Sequence, residues 1–139
     1  MALTDNPMSL VVTGNVTVGA TLEANVPTTE TSLLSTEDVN RTVTITVPAG
    51  VKVLKVAGNV DHEHEGEVAL DVYSVNGKKY WLSLWNYEYA YDIWYVGVTP
   101  NKSYTLKLST DSETGTESGS VTISYSQSIN NQTPKVTDY

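Results

Sequence analysis

Apolar and polar positions alternate with a period of two over much of the chain, the pattern of strands with one buried face rather than of helices. Three runs show it most cleanly: residues 42–47 (Thr-Val-Thr-Ile-Thr-Val), 103–108 (Ser-Tyr-Thr-Leu-Lys-Leu) and 120–125 (Ser-Val-Thr-Ile-Ser-Tyr). Each sets an aliphatic or aromatic row against a row of Thr, Ser or Lys. Less regular strands are predicted over 10–18, 20–26, 51–57, 67–75, 79–85 and 92–98, about eight or nine in all. Within 51–56 the apolar phase slips by one at Val53 and Leu54, which predicts a β-bulge. The expected fold class is all-β, an antiparallel β-sandwich of jelly-roll or Ig-like type.

Asn76-Gly77 supplies the positive φ angles of a type I′ hairpin, and Pro100-Asn101 the preset φ of an ordinary turn, so the flanking strands are predicted to pair antiparallel. Pro48, Ala49 and Gly50 separate two further strands. Residues 27–40 lack clear alternation and read as a crossover loop pinned by Leu33 and Leu34, and 111–119 read as a polar hairpin loop. Residues 1–129 are expected to form one domain, with 130–139 a polar tail that stays mobile unless a neighbour orders it.

The formal charge of −8 argues against a nucleic-acid partner, whose binding is driven by Lys and Arg, and against anionic membrane surfaces. No stretch approaches the apolar length needed to span a bilayer, and residues 1–7 lack the basic-then-apolar pattern of a signal peptide. With no cysteine there is no disulfide, thiolate metal site or cysteine nucleophile. The nucleophile-elbow and phosphate-loop motifs are also missing, so no catalytic residue is assigned and the chain is read as no enzyme.

The three tryptophans and nine tyrosines stand without any phenylalanine, and eight of them fall within 80–95. On a regular strand over 79–85, Tyr80, Leu82 and Leu84 share the inner face, and Trp81 and Trp85 point outward about 13 Å apart at roughly 3.3 Å per residue. Such a spacing suits two stacked sugar rings of an extended glycan. Tyr87, Tyr89 and Tyr91, interleaved with Asn86, Glu88 and Asp92, then form a loop of adaptable recognition chemistry, and Trp94 completes the aromatic set. The same rings serve equally as core or as contacts within a homo-oligomer.

Both histidines, His62 and His64, lie in an acid-rich run and on a strand would point the same way, as two zinc ligands do; an exposed acidic hairpin tip is the plainer reading. Asp111, Glu113 and Glu117 offer oxygens to calcium without the ordered spacing of a known calcium loop. No cofactor is therefore expected.

Residues 44–56 (Thr-Ile-Thr-Val-Pro-Ala-Gly-Val-Lys-Val-Leu-Lys-Val) and 98–108 (Val-Thr-Pro-Asn-Lys-Ser-Tyr-Thr-Leu-Lys-Leu) resemble strand-turn-strand segments in β-sandwich modules of bacteriophage tail and head-surface proteins and of bacterial extracellular binding modules. The resemblance implies a non-catalytic virion accessory or adhesion module, made in the cytoplasm and deployed on a virion or cell surface. Its partners would be virion protein neighbours, further copies of the chain or a host-surface glycan. The alternative is a stand-alone carbohydrate-binding module or lectin.

Overall fold

The computed structural model describes residues 26–62, 66–112 and 117–138. β1 (Thr31–Thr36), β2 (Arg41–Thr46), β3 (Val53–His62) and β4 (Glu67–Ser74) come first in the described chain. β5 (Lys79–Tyr87), β6 (Tyr89–Gly97), β7 (Ser103–Ser112) and β8 (Glu117–Tyr125) follow, and helix α1 (Gln127–Asn130) and strand β9 (Val136–Thr137) end it. The strands form two sheets, ordered β9-β6-β3-β8-β1 and β2-β7-β4-β5, packed face to face as a β-sandwich. All pairings are antiparallel except the short parallel contact of β9 with β6.

The alternating runs become strands because alternation lets each bury one row. Val43 and Ile45 on β2, Tyr104, Leu106 and Leu108 on β7, and Val121 and Ile123 on β8 all enter the core, with Thr and Ser rows outside. The central strand β3 is flanked on both sides, and two glycines permit close packing around it. A Cβ on Gly58 would meet the Leu82 side chain at 2.6 Å, and one on Gly119 would strike the Asn59 carbonyl oxygen at 2.2 Å.

Several expectations are corrected. Strands over 10–18 and 20–26 lie outside the described residues, save buried Val26. The crossover loop over 27–40 contains β1, whose register on β8 shifts between Ser32 and Leu34; that bulge hides the alternation. β3 has no bulge at Val53 and Leu54. Both are buried because the outer side of the strand end is covered by α1, whose Asn130 Oδ1 accepts from the backbone N–H of Lys52 (2.7 Å) and Val53 (3.2 Å).

The turns also differ. β4 and β5 are joined by a four-residue loop closed by Lys78 N–H to Ser74 C=O at 2.7 Å, with Lys78 at φ 55°, rather than by a two-residue turn. Gly77 is needed there for space: a Cβ would lie 2.0 Å from Asp138 Oδ1. The turn at Pro100-Asn101, with Asn101 at φ 66°, joins β6 and β7, which belong to different sheets and do not pair. Of the expected hairpin loop over 111–119, residues 113–116 lie outside the described residues, and the flanking strands β7 and β8 belong to different sheets and do not pair.

The C-terminal tail is part of the sandwich. Ser126 Oγ caps α1 by accepting from Ile129 N–H at 3.1 Å, and β9 pairs with the end of β6. Asp138 is fully buried: its Oδ2 accepts from Trp81 Nε1 at 2.5 Å, its backbone O accepts from the Tyr104 hydroxyl at 2.7 Å, and its N–H donates to Gly97 C=O at 3.0 Å. The strap therefore ties the first sheet to the second.

Candidate functional site

The aromatic segment 80–95 does not form one surface. β5 ends at Tyr87, Glu88 turns the chain at φ 76°, and Tyr89 opens β6 in the other sheet. The Glu88 backbone is pinned on both sides, donating to Gly66 C=O at 2.8 Å and accepting from His62 N–H at 3.3 Å. The side chains that follow Glu88 thus face the opposite way from those that precede it.

On β5 the expected arrangement is inverted at one end. The register on β4 shifts between Val72 and Tyr73, with Leu82 opposite Val72 but Tyr80 opposite Tyr73, which makes Trp81 the extra residue of a β-bulge. Trp81 turns inward to 0% exposure and stacks edge-on against Tyr104 at 5.4 Å, so it is withdrawn from the outer aromatic set. Tyr80 replaces it on the outside at 55% exposure. Leu82 and Leu84 stay inside, and Trp85 stays outside at 60%.

Tyr80 and Trp85 stand opposite Tyr73 and Ala69, four residues apart on β4, so about 13 Å separates them along the sheet at roughly 3.3 Å per residue. Between them Ser83 Oγ donates to Asp71 Oδ1 at 2.7 Å. Trp85 Nε1 donates to Glu67 Oε2 at 3.2 Å, which fixes the indole plane, and Tyr73 braces Tyr80 edge-on at 5.4 Å. Tyr87, exposed, extends the row beyond Trp85. At the other end a cleft of about 360 Å³ is lined by Tyr73, Val75, Lys78 and Tyr80. Among the described residues β5 is, with β2, an edge strand of its sheet.

Tyr89 and Tyr91 are exposed on the outer face of the other sheet, opposite Asp61 and Asn59 of β3. Trp94 is half-buried at the sandwich edge, packed against the core, with Nε1 3.3 Å from Asp92 Oδ2 and Lys135 Nζ 5.5 Å above its ring. Along this face Ser124 Oγ (2.6 Å) and Lys55 Nζ (2.9 Å) both bond Glu30 Oε2 and hold its carboxyl below the ordinary value, the Ser124 hydrogen bond being the larger cause.

His62 is buried at the end of β3 with Nε2 3.0 Å from the Gly66 carbonyl oxygen, to which it donates. His64 and Glu113 lie outside the described residues. Glu117 Oε1 accepts from Thr110 Oγ1 at 2.9 Å, whereas Asp111 lies beside Ala69 on the outer face of the other sheet. Among the described residues no group of three or more His, Asp or Glu side chains is placed to hold a metal ion.

Sequence reasoning missed Tyr73, Tyr80, Asp71 and Glu67 as members of the outer row. The signal was the doublet Trp81-Leu82 ahead of Leu84, two large apolar side chains in succession that both demand burial. No helix among the described residues is long and apolar enough to cross a membrane. No family model matches the chain, and a search of curated proteins finds no match.

Proposed function

We propose that the chain is a non-catalytic recognition module of the adhesion type, which holds an extended glycan on the outer face of the β2-β7-β4-β5 sheet. One observation carries the reading: two braced aromatic rings, Tyr80 and Trp85, share a face about 13 Å apart with a carboxylate and hydroxyl pair between them. Aromatic faces stack on the apolar sides of sugar rings, while Asp71, Ser83 and Glu67 offer acceptor oxygens to sugar hydroxyls. The Trp85–Glu67 and Tyr73–Tyr80 contacts lower the ordering cost of binding by fixing the rings beforehand. A virion or cell-surface setting fits the strand-turn-strand resemblance at 44–56 and 98–108.

A second reading has one observation in its favour. β5 has no partner along its outer edge among the described residues, and an open edge with exposed aromatics suits a neighbouring subunit. The two are separated by substitution. For glycan binding, Trp85→Ala and Tyr80→Ala abolish retention on immobilised neutral glycans while the melting temperature stays close to wild type. Trp81→Ala instead costs about 3–5 kcal/mol of stability. Undiminished retention in Trp85→Ala sinks the glycan reading, and an oligomer whose Trp85 is shielded from iodide quenching supports the subunit interface.

A further inference from the structure

We infer that the opposite face of the sandwich carries a second carbohydrate site, a cleft between β6, β3 and β8 built around Tyr89, which makes one chain bivalent. The cleft has a volume of about 480 Å³, within the roughly 300–1,000 Å³ of ordinary ligand clefts. Tyr89 forms one wall at 49% exposure, and Asn59, Asp61, Ser118 and Ser120 come from the outward rows of β3 and β8. The register sets Asp61 between Tyr89 and Ser118, and Asn59 between Tyr91 and Ser120. Each row across the three strands therefore reads aromatic ring, hydrogen-bonding group, hydroxyl.

The chemistry of this lining selects its occupant. Among the described residues Glu37, Asp61 and Glu117 line the cleft and no Lys or Arg does, so an anionic ligand is disfavoured. Those carboxylates do not converge on a metal position. Hydroxyl donors satisfy Glu37 and Asp61 instead, whereas Glu117 already accepts from Thr110 Oγ1 at 2.9 Å, and Asn59, whose Nδ2 is given to Ser120 Oγ at 2.8 Å, presents its oxygen as a further acceptor. A ring wall together with acceptors and hydroxyls is what a neutral sugar matches, with one apolar face and a rim of hydroxyls.

The two sites point away from each other. β5 and β6 belong to different sheets, and the outer rows of Tyr80–Trp85 and Tyr89–Tyr91 face opposite sides of a sandwich whose sheets pack about 10 Å apart. One chain can then bridge two glycan strands without forming a dimer. Bivalency rests on the platform proposed above, whereas the cleft stands on its own lining.

The test is titration calorimetry of the full chain with neutral gluco-, manno- and galacto-oligosaccharides, polygalacturonate fragments and oligolysine, followed by amide NMR mapping. The expected result is two sites per chain for a neutral sugar. Trp85→Ala should leave one site, with shifts confined to β3, β6 and β8, and Tyr89→Ala or Asp61→Ala should leave one, with shifts on β4 and β5. A single site lost in Trp85→Ala and unchanged in Tyr89→Ala overturns the cleft and leaves the platform standing. A single site lost only in Tyr89→Ala overturns bivalency and the platform while leaving the cleft. Oligolysine binding that is lost in Asp61→Ala, without sugar binding, overturns the carbohydrate assignment, and no binding of any probe overturns both sites.

Discussion

Tyr80 and Trp81 are adjacent in sequence and face opposite sides of a sheet, and the energetics decide which goes in. Burying a large aromatic of about 150–250 Å² contributes about 4–6 kcal/mol at roughly 25 cal/mol per Å². Trp81 gains that burial with its only polar hydrogen satisfied by Asp138, whereas Tyr80 outside keeps its hydroxyl in water. At the same scale, Glu30 is bonded by Ser124 and Lys55 and has its carboxyl held below the ordinary value. A depressed carboxylate contributes stability above its unfolded value and loses it as pH falls through the folded one. The stability difference between wild type and Glu30→Gln, followed by thermal melts across pH, is therefore expected to be present at neutral pH and to vanish in acid. Half-exposed as it is, the pair stays within about 1 kcal/mol and shrinks further in high salt.

At the scale of elements, the strap from α1 to β9 decides how the aromatic strand sits. Asp138→Ala leaves the buried Trp81 N–H without its acceptor, at a cost of about 1–3 kcal/mol, and removes what holds the bulge inward. Urea unfolding is expected to show that loss together with a red-shifted, more quenchable Trp81. Asp138→Asn, which keeps an acceptor oxygen, is expected to retain most of the stability. The strands at 42–47, 103–108 and 120–125 were legible because one undisturbed face is buried along each. β1 was not, because its bulge breaks the period, and the bulge at Trp81 hid the true partner of Trp85 in the same way. The strap was unreadable for a different reason: its polar residues are buried by Trp81 and Tyr104, each more than thirty positions away. In the candidate site the residue types were legible and the sidedness was not, since that depends on Glu88 sending the chain between sheets.

For the whole molecule, the chain changes sheet at almost every connection, and among the described residues β4 and β5 are the one consecutive pair joined as a hairpin within a sheet. Every other ladder closes a longer loop, up to β1 on β8. Refolding from urea is expected to take milliseconds to seconds, on the order of other all-β sandwiches, and stopped-flow tryptophan fluorescence reads it directly. Submillisecond completion would contradict so non-local a set of pairings. The strand order also has a consequence for synthesis on the ribosome. β1 emerges roughly eighty residues before β8, its sole ladder partner among the described residues, a wait of several seconds at about 5–20 residues per second. A nascent strand left open that long risks pairing with another chain, and the Thr-Ser-Leu-Leu-Ser-Thr composition of β1, mostly hydroxylated, makes it a poor template for doing so.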